Sequence, residues 1–242
     1  GIKKLLPGCL MEIEGASNTT RRWWDSVPGN DTLDIGFHEA ADEVERLFQK
    51  SCELSMRSDV PVGVFLSGGL DSSLLLSNCN TVSPKVQSFS VAMSEKDYDE
   101  SDKAELASKH VGNGGHNVLT MTQSALMSSF TDLMTKLDEP HGDPGFVNHH
   151  FLARESRPHI TVALSGDGAD ELFGGYAPFK GLPLQPVMEQ LPEGAINLFR
   201  AISKCLPGSD TYMGLQFKAL AYLQGFPSTR ANRHSLWLGT LS

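Results

Sequence analysis

The stretch Pro61-Val62-Gly63-Val64-Phe65-Leu66-Ser67-Gly68-Gly69-Leu70-Asp71-Ser72-Ser73 decides the fold. Val62 to Leu66 form a short apolar run with β-branched residues, introduced by a proline and closed by a glycine pair. Such a run reads as a buried parallel strand. Ser67 to Asp71 read as a glycine turn and Ser72 to Asn80 as a helix. A strand that passes into a helix through glycines places its loop at the carboxyl edge of an open sheet, where ligands bind in that architecture. Gly68 and Gly69 let the backbone approach an anion. The N–H groups at the helix start then point at it, and the helix dipole adds roughly half a positive charge. Ser67, Ser72 and Ser73 supply hydroxyl donors. Asp71 would repel a bare phosphate, and a bridging Mg²⁺ resolves the conflict, because carboxylate and phosphate oxygens both suit that ion. A plain glycine turn capped by Asp or Ser is the bland alternative. Neither G-x-x-x-x-G-K-S/T nor G-x-G-x-x-G occurs, so the usual signatures of β,γ-phosphate and dinucleotide sites are missing.

The flanking segments continue the alternation. Upstream, Ile35 to Met56 carry apolar residues at helical spacing, with Asp34 as a plausible N-cap. Downstream, strands are expected at Gln87 to Met93, Asn117 to Leu119 and Ile160 to Leu164. Helices are expected at Asp99 to His110, Ser124 to Leu137 and Phe146 to Glu155. Apolar strands alternating with helices predict an α/β domain with a doubly wound, mostly parallel sheet and flanking helices. Residues 1–34 are rich in turn signals and predict one short strand near Leu10 to Glu14, then a linker. After Tyr176, prolines at 183, 186, 192, 207 and 227 break apolar stretches, which predicts a smaller helical C-terminal section.

A second glycine loop, Ser165-Gly166-Asp167-Gly168-Ala169-Asp170-Glu171, follows the strand ending at Leu164 and continues to Leu172-Phe173-Gly174-Gly175-Tyr176. Clustered carboxylates repel one another unless a cation is near. The functional expectation is a second metal ligand and a group that senses the incoming amine or the activated substrate. A solvated acidic turn is the alternative. If the two strands are neighbours, both loops share one edge of the sheet.

Bulk composition sets limits. The chain has 242 residues, 40% of them hydrophobic and 20% charged, enough for one sizeable folded domain. Its formal net charge of −9 makes nucleic acid a poor partner, since phosphate contacts need clustered Lys and Arg. Cys9, Cys52, Cys79 and Cys205 form no CxxC pair and suit a reducing, cytoplasmic setting. No apolar run approaches the roughly 20 residues of a membrane helix. Leu6-Pro7-Gly8-Cys9 is too short and too interrupted for a targeting segment. His149 and His150 diverge by about 100° on a helix, which argues against a shared metal among His141, His149, His150 and His159. Trp23-Trp24 reads as linker packing and the methionines as filler.

Together the two loops resemble the asparagine synthetase family, glutamine-hydrolysing type, in its ATP-using synthetase domain. Asp59 to Leu66, Ser88-Phe89-Ser90-Val91, Tyr98-Asp99-Glu100-Ser101, Leu137-Asp138-Glu139-Pro140 and Gly142-Asp143-Pro144 look like that family's connecting segments. The resemblance is densest over about residues 57–180. It implies the loop that splits ATP between the α and β phosphates, in a PP-loop ATP pyrophosphatase fold related to the adenine-nucleotide α-hydrolases. Position by position, it implies that Leu66 and Val91 hold the adenosine and that Ser67, Gly68, Gly69, Asp71 and Ser72 wrap the pyrophosphate. It further implies that Ser165 and Gly166 complete the ATP site and that Asp71 and Asp170 share Mg²⁺. Asp167 and Glu171 are the implied catalytic carboxylates. Asp167 stands where the family often has Glu, one methylene longer, which bears on the choice of acceptor.

The implied reaction activates a carboxylate, with aspartate as the expected acceptor, through a β-aspartyl-AMP with release of pyrophosphate. Ammonia derived from glutamine then displaces AMP to give asparagine. The alternatives are a related AMP-forming amidation of another acceptor, such as a sugar carboxylate or β-lactam precursor, and a non-catalytic ATP-binding fragment. The resemblance divides the chain into the tail of a glutaminase-type domain with its linker (1–34), the synthetase domain (35–180) and its helical continuation (181–242). It implies small-molecule substrates, a glutaminase domain as partner, no nucleic acid or membrane, and a homodimer as a candidate assembly. The family's N-terminal nucleophilic cysteine has no counterpart, since Gly1 opens the chain and Cys9 falls inside an expected strand. A lysine that the family uses later in the chain has no match before Ser242. The expectation is therefore a chain truncated at both ends.

Overall fold

The computed structural model describes residues 3–25, 32–96, 98–139, 142–143, 145–206, 214–226, 228–229, 232–233 and 236–237. The chain forms two compact units, Gly1–Phe48 and Gln49–Ser242. In the first, β1 (Cys9–Glu14) and β2 (Ser17–Arg22) form an antiparallel hairpin with Cys9 opposite Arg22 and Glu14 opposite Ser17. Gly15, at φ 60°, opens its two-residue turn, a position that favours glycine. β2 replaces the linker expected after Glu14. The helix α1 (Phe37–Ser55) crosses from the first unit into the second. It begins two residues beyond the expected start, so Asp34 lies outside its first turn.

The second unit is built on β3 (Val62–Phe65), α2 (Leu70–Val82), β4 (Gln87–Met93), α3 (Ser101–Val111), β5 (His116–Met121), α4 (Gln123–Lys136), α5 (Gly145–Ser156) and β6 (Val162–Leu164). The four strands form one sheet in the order β5-β4-β3-β6, and every pairing is parallel. This is the doubly wound arrangement expected from the sequence: the chain builds outward from β3 to β5, then returns to place β6 on the other side of β3. The point where the winding reverses lies between β3 and β6, and in open α/β sheets a crevice forms there, outside the carboxyl ends of the strands.

The core explains why these runs are strands and helices. Val64, Leu66, Leu76 and Cys79 are buried together with Cys52, Leu75, Val86 and Ala104, packing the end of α1 and the faces of α2 and α3 on the sheet. Gly63 is required in β3 because a Cβ there would stand 2.8 Å from Ile160 Cδ1 and 2.9 Å from the Gln87 carbonyl oxygen. The four cysteines are free. Burial, reinforced by the adjacent Cys52 thiol, pushes the Cys79 thiol up to about 12.

After β6 come the short α6 (Ala169–Phe173), a 3₁₀ segment (Ala177–Leu184), α7 (Gln185–Met188), α8 (Glu193–Lys204) and α9 (Leu215–Gln224). The prolines punctuate them: Pro186 lies in the first turn of α7 and Pro192 precedes α8. Ile196, Phe226 and Trp237 form a second buried cluster, and the Arg233 guanidinium lies 4.2 Å from the Phe226 ring centre. Among the described residues no helix is long and apolar enough to cross a membrane.

Candidate functional site

The β3–α2 loop is held by its own serines. The Ser67 N–H donates to Ser72 Oγ at 3.2 Å, the two hydroxyls of these residues are 3.0 Å apart, and the Gly69 N–H donates to Ser67 Oγ at 3.2 Å. Ser73 Oγ donates to the Gly69 carbonyl at 2.7 Å. The serines expected to bind an anion thus also brace the turn. Gly69 caps α2 without a side-chain hydrogen bond, so the N–H groups of the first turn remain available for an anion.

Gly68 has φ 78°, and a Cβ there would stand 2.5 Å from the Ala104 backbone nitrogen and 2.6 Å from the Lys103 Cβ. Glycine is needed here so that the loop can turn left-handed against the start of α3. Gly68 itself does not line the cleft described below.

The β6–α6 loop meets the first at close range. A Cβ on Gly166 would stand 3.0 Å from the Ser72 backbone nitrogen and 3.2 Å from the Asp71 Cβ. Ser165 Oγ donates to Asp167 Oδ2 at 2.7 Å, turning that carboxylate back over its own loop. Gly168 at φ 96° and Gly174 at φ 66° bound the single turn of α6.

Between the loops lies a cleft of about 340 Å³. Ser67, Gly69, Asp71 and Ser72 line it from the first loop, and Ser165, Gly166, Asp167 and Asp170 from the second. On the side remote from β6 it is bounded by Phe65 at the end of β3, by Leu66 just beyond it, and by Ser90, Val91 and Met93 of β4. The cleft therefore has a polar floor at the glycine loops and an apolar wall at the β4 side. A second cleft, about 420 Å³, adjoins it: His149, Gly166, Asp167 and Asp170 line both. Glu171, expected in the catalytic group, lines only the second cleft, beside Asp143, Phe146 and Tyr176.

Asp71 and Asp170 face the first cleft from opposite loops, and neither side chain makes a hydrogen bond or ion pair with a described residue. Two carboxylates plus the oxygens of a polyphosphate match the ligand set that Mg²⁺ prefers. Among the described residues no cluster of three potential protein ligands exists, so the donor set fits an ion brought in with phosphate rather than a closed protein cage. Glu171 accepts from the Tyr176 hydroxyl, and that bond, with the nearby carboxylates, pushes the Tyr176 phenol up to about 12.

Three neighbours of the cleft had no assigned site role in the sequence. The sequence presents His149 only as one of several scattered histidines, yet its Nε2 stands 3.9 Å from Asp167 Oδ2 and it borders both clefts. Ser90 is 3% exposed and lines the first cleft. The visible signal was the pair Ser88 and Ser90, two hydroxyls on the same face of an otherwise apolar strand. Glu100 borders the first cleft as well. Pro140, His141 and Pro144, part of the expected connecting loop, lie outside the described residues.

The asparagine synthase family model matches residues 43–235. Asparagine synthetase (glutamine-hydrolyzing) 1 of Bacillus subtilis is 35% identical over 187 residues, covering 71% of this chain and 29% of that protein. A putative asparagine synthetase (glutamine-hydrolyzing) of Mycobacterium tuberculosis is 31% identical over 211 residues, covering 86% of this chain and 32% of that protein. Amidase chyE of Penicillium rubens is 27% identical over 199 residues, 74% of this chain and 30% of that protein. The chain spans about a third of the length of these relatives.

Proposed function

The chain belongs to the asparagine synthase family, and from that premise we propose that it carries the ATP-using half of an AMP-forming amidotransferase. The observation that carries this reading is the contact between the two loops across the reversal point of the sheet. Gly166 abuts Asp71 and Ser72, and Asp71 and Asp170 border one cleft with an apolar wall for a base at its other side.

ATP enters with its base against Leu66 and Val91 and its phosphates along Ser67 to Ser72, with Ser165 and Gly166 closing the site. Asp71 and Asp170 would hold Mg²⁺, which would supply positive charge against the leaving pyrophosphate. The substrate occupies the second cleft. Its carboxylate oxygen attacks the α-phosphorus, forming an acyl-adenylate as the bond to pyrophosphate breaks. Ammonia then attacks the acyl carbon, the amide forms, and AMP leaves with the electrons of the broken C–O bond. The nitrogen sheds its extra proton to solvent. The loop N–H groups and serine hydroxyls stabilise charge where it develops, which is electrostatic catalysis. Asp167, next to both clefts, orients the acceptor, and Glu171 acts from the second cleft together with Tyr176.

Aspartate is the acceptor in this proposal. Glutamine-derived ammonia comes from a glutaminase domain to which residues 1–34 form the exit, and residues 181–242 continue the synthetase domain. A cytoplasmic, homodimeric setting belongs to the same proposal. A second acceptor class is favoured by one observation, the shorter Asp167 carboxylate beside the second cleft, together with the similarity to a protein named an amidase.

The test is incubation of the chain with Mg-ATP, aspartate and ammonium, with identification of the products. AMP, pyrophosphate and asparagine are expected. AMP and pyrophosphate formed only with a different carboxylate would select the second acceptor class. ADP and phosphate would refute the mechanism. Binding is checked separately: Mg-ATP at 100 times its Kd should stabilise the fold by roughly 2.7 kcal/mol.

A further inference from the structure

The β4 wall of the nucleotide cleft contains a buried chain of polar groups that the reaction does not use. Ser88 is fully buried, Ser90 is 3% exposed and Asn113 is 7% exposed, while His116 stands opposite Ser88 in the parallel β4–β5 pairing. Buried polar groups must be satisfied, and here satisfaction fixes the direction of every hydrogen bond.

The direction starts at Asn113. Its Nδ2 lies 2.8 Å from the Val86 carbonyl oxygen and 3.3 Å from Asn80 Oδ1, both acceptors, so the amide donates there and its Oδ1 points the other way. Asn80 is fixed in turn because its Nδ2 donates to the Val111 carbonyl. Asn113 Oδ1 is 3.0 Å from Ser88 Oγ. An amide oxygen cannot donate, so the Ser88 hydroxyl gives it its proton; otherwise two acceptors would face each other inside the core. Ser88 Oγ, its proton spent, must accept at 2.9 Å from His116 Nδ1. The imidazole therefore carries its proton on Nδ1. Burial lowers the His116 pKa and keeps the ring neutral at pH 7, so Nε2 is an acceptor. Ser90 Oγ, 3.2 Å from Nε2, donates to it.

The chain ends at the cleft. The single proton of Ser90 is committed inward, so lone pairs are all that this hydroxyl offers to a ligand. Its position identifies the part of the ligand concerned. The Leu66 N–H donates to the Phe89 carbonyl at 2.8 Å, which sets Ser90 beside Leu66 on the apolar wall. The second glycine loop follows β6, across β3 from β4, and the first leaves the end of β3, so the β4 face of the cleft is its edge remote from the meeting point of the two loops. We propose that Ser90, polarised by the relay Asn113–Ser88–His116, is a specificity-determining residue that accepts a hydrogen bond from the exocyclic amine of an adenine base and disfavours a base with a carbonyl there. The inference rests on the nucleotide role proposed above. A base with a keto oxygen at that position would set acceptor against acceptor, which this relay cannot relieve by rotating the hydroxyl.

The test compares binding of Mg-ATP with Mg-ITP, whose hypoxanthine replaces the amine by a carbonyl, using calorimetry on the full chain. The parent chain is expected to prefer ATP by about tenfold or more, the scale of one buried hydrogen bond against an unpaired acceptor. Ser90→Ala should reduce that ratio to within about twofold, chiefly by weakening ATP. An unchanged ratio in Ser90→Ala, or an equal loss for both nucleotides, would overturn the inference. So would a parent chain that binds both nucleotides equally, although the nucleotide role itself would then survive. A folded parent chain that binds neither would overturn both. Nitrogen-15 NMR of the His116 ring provides a check that needs no substitution: protonation at Nδ1 is expected, and protonation at Nε2 would refute the relay.

Discussion

A methyl group on Gly166 would stand 3.2 Å from the Asp71 Cβ, tighter than a relaxed carbon–carbon contact. Its other near neighbour is the backbone nitrogen of Ser72, which cannot swing aside as a side-chain tip can. Gly166→Ala should therefore separate the two loops by a few tenths of an ångström while leaving the buried sheet intact. Positioning errors of this size are costly at sites that work by preorganised electrostatics. The expected outcome is a loss of Mg-ATP affinity of about tenfold, read by calorimetry, with the unbound chain still folding cooperatively. Full affinity in Gly166→Ala would mean that the loops do not act as one site.

Gly68 is constrained for a different reason. Its φ of 78° is unfavourable for any residue with a Cβ, and that Cβ would meet the α3 backbone at 2.5 Å. The left-handed conformation alone costs about 1–2 kcal/mol, and the collision adds to it. Gly68→Ala should lower the stability of the second unit by at least about 2 kcal/mol in urea titrations. A change below about 0.5 kcal/mol would show that the loop relaxes freely and that the close packing on α3 is not needed.

Leu76 is fully buried between α2 and the sheet. Truncation at such positions costs about 2–5 kcal/mol because a cavity remains. Leu76→Ala should shift the urea midpoint accordingly, and the Mg-ATP affinity of the folded fraction should stay near the parent value, since Leu76 does not border the cleft.

The sequence made some of this molecule legible and concealed the rest. Val62 to Leu66 and Gln87 to Met93 were readable because burial on both faces leaves continuous apolar runs, and the glycine loops because their backbone geometry excludes most other residues. β2 was invisible: Ser17 to Arg22 are polar and exposed throughout, and the strand exists through backbone pairing with β1. The start of α1 is not legible because Ile35 continues the apolar spacing although the helix begins at Phe37. Within the site, the residue types of Asp71, Gly166 and Asp170 suggested chemistry. The contact of Gly166 with Asp71 depends on β6 pairing with β3, a separation of about a hundred residues that no local pattern encodes. The same holds for Ser88 and His116, whose meeting follows from parallel register alone.

His116 also gives stability a pH dependence with a defined sign. Burial lowers its pKa from the ordinary 6.5, while the Glu105 carboxylate raises it less. The folded state thus holds the proton more weakly than the unfolded chain. Well above pH 6.5 the ring is neutral in both states and its stabilising effect is fully present; as pH falls from about 6.5 towards and through the lowered folded value, the unfolded chain takes up the proton first and stability is lost. Thermal unfolding should show a melting temperature that declines below pH 6.5. In His116→Gln, which cannot titrate, that part of the decline should disappear. An identical pH slope in the two proteins would assign the acid sensitivity to other groups.

Tyr176 tests the electrostatics of the second cleft. Its hydroxyl donates to Glu171, and Asp167 and Asp170 add to the negative surroundings, so ionising the phenol would bring a further negative charge among carboxylates. The phenol, pushed to about 12, should stay protonated at pH 11, where an ordinary tyrosine of pKa 10 is largely ionised. Following the Tyr176 ring by carbon-13 NMR, Glu171→Gln should return the titration toward 10, because the largest cause of the shift is the hydrogen bond to that carboxylate. Asp167→Asn, which removes the smallest of the contributing charges, should move it much less. If Asp167→Asn were as effective as Glu171→Gln, the shift would arise from the field of the whole acidic loop. The direct Tyr176–Glu171 contact would then not be what sets the protonation state at the edge of the second cleft.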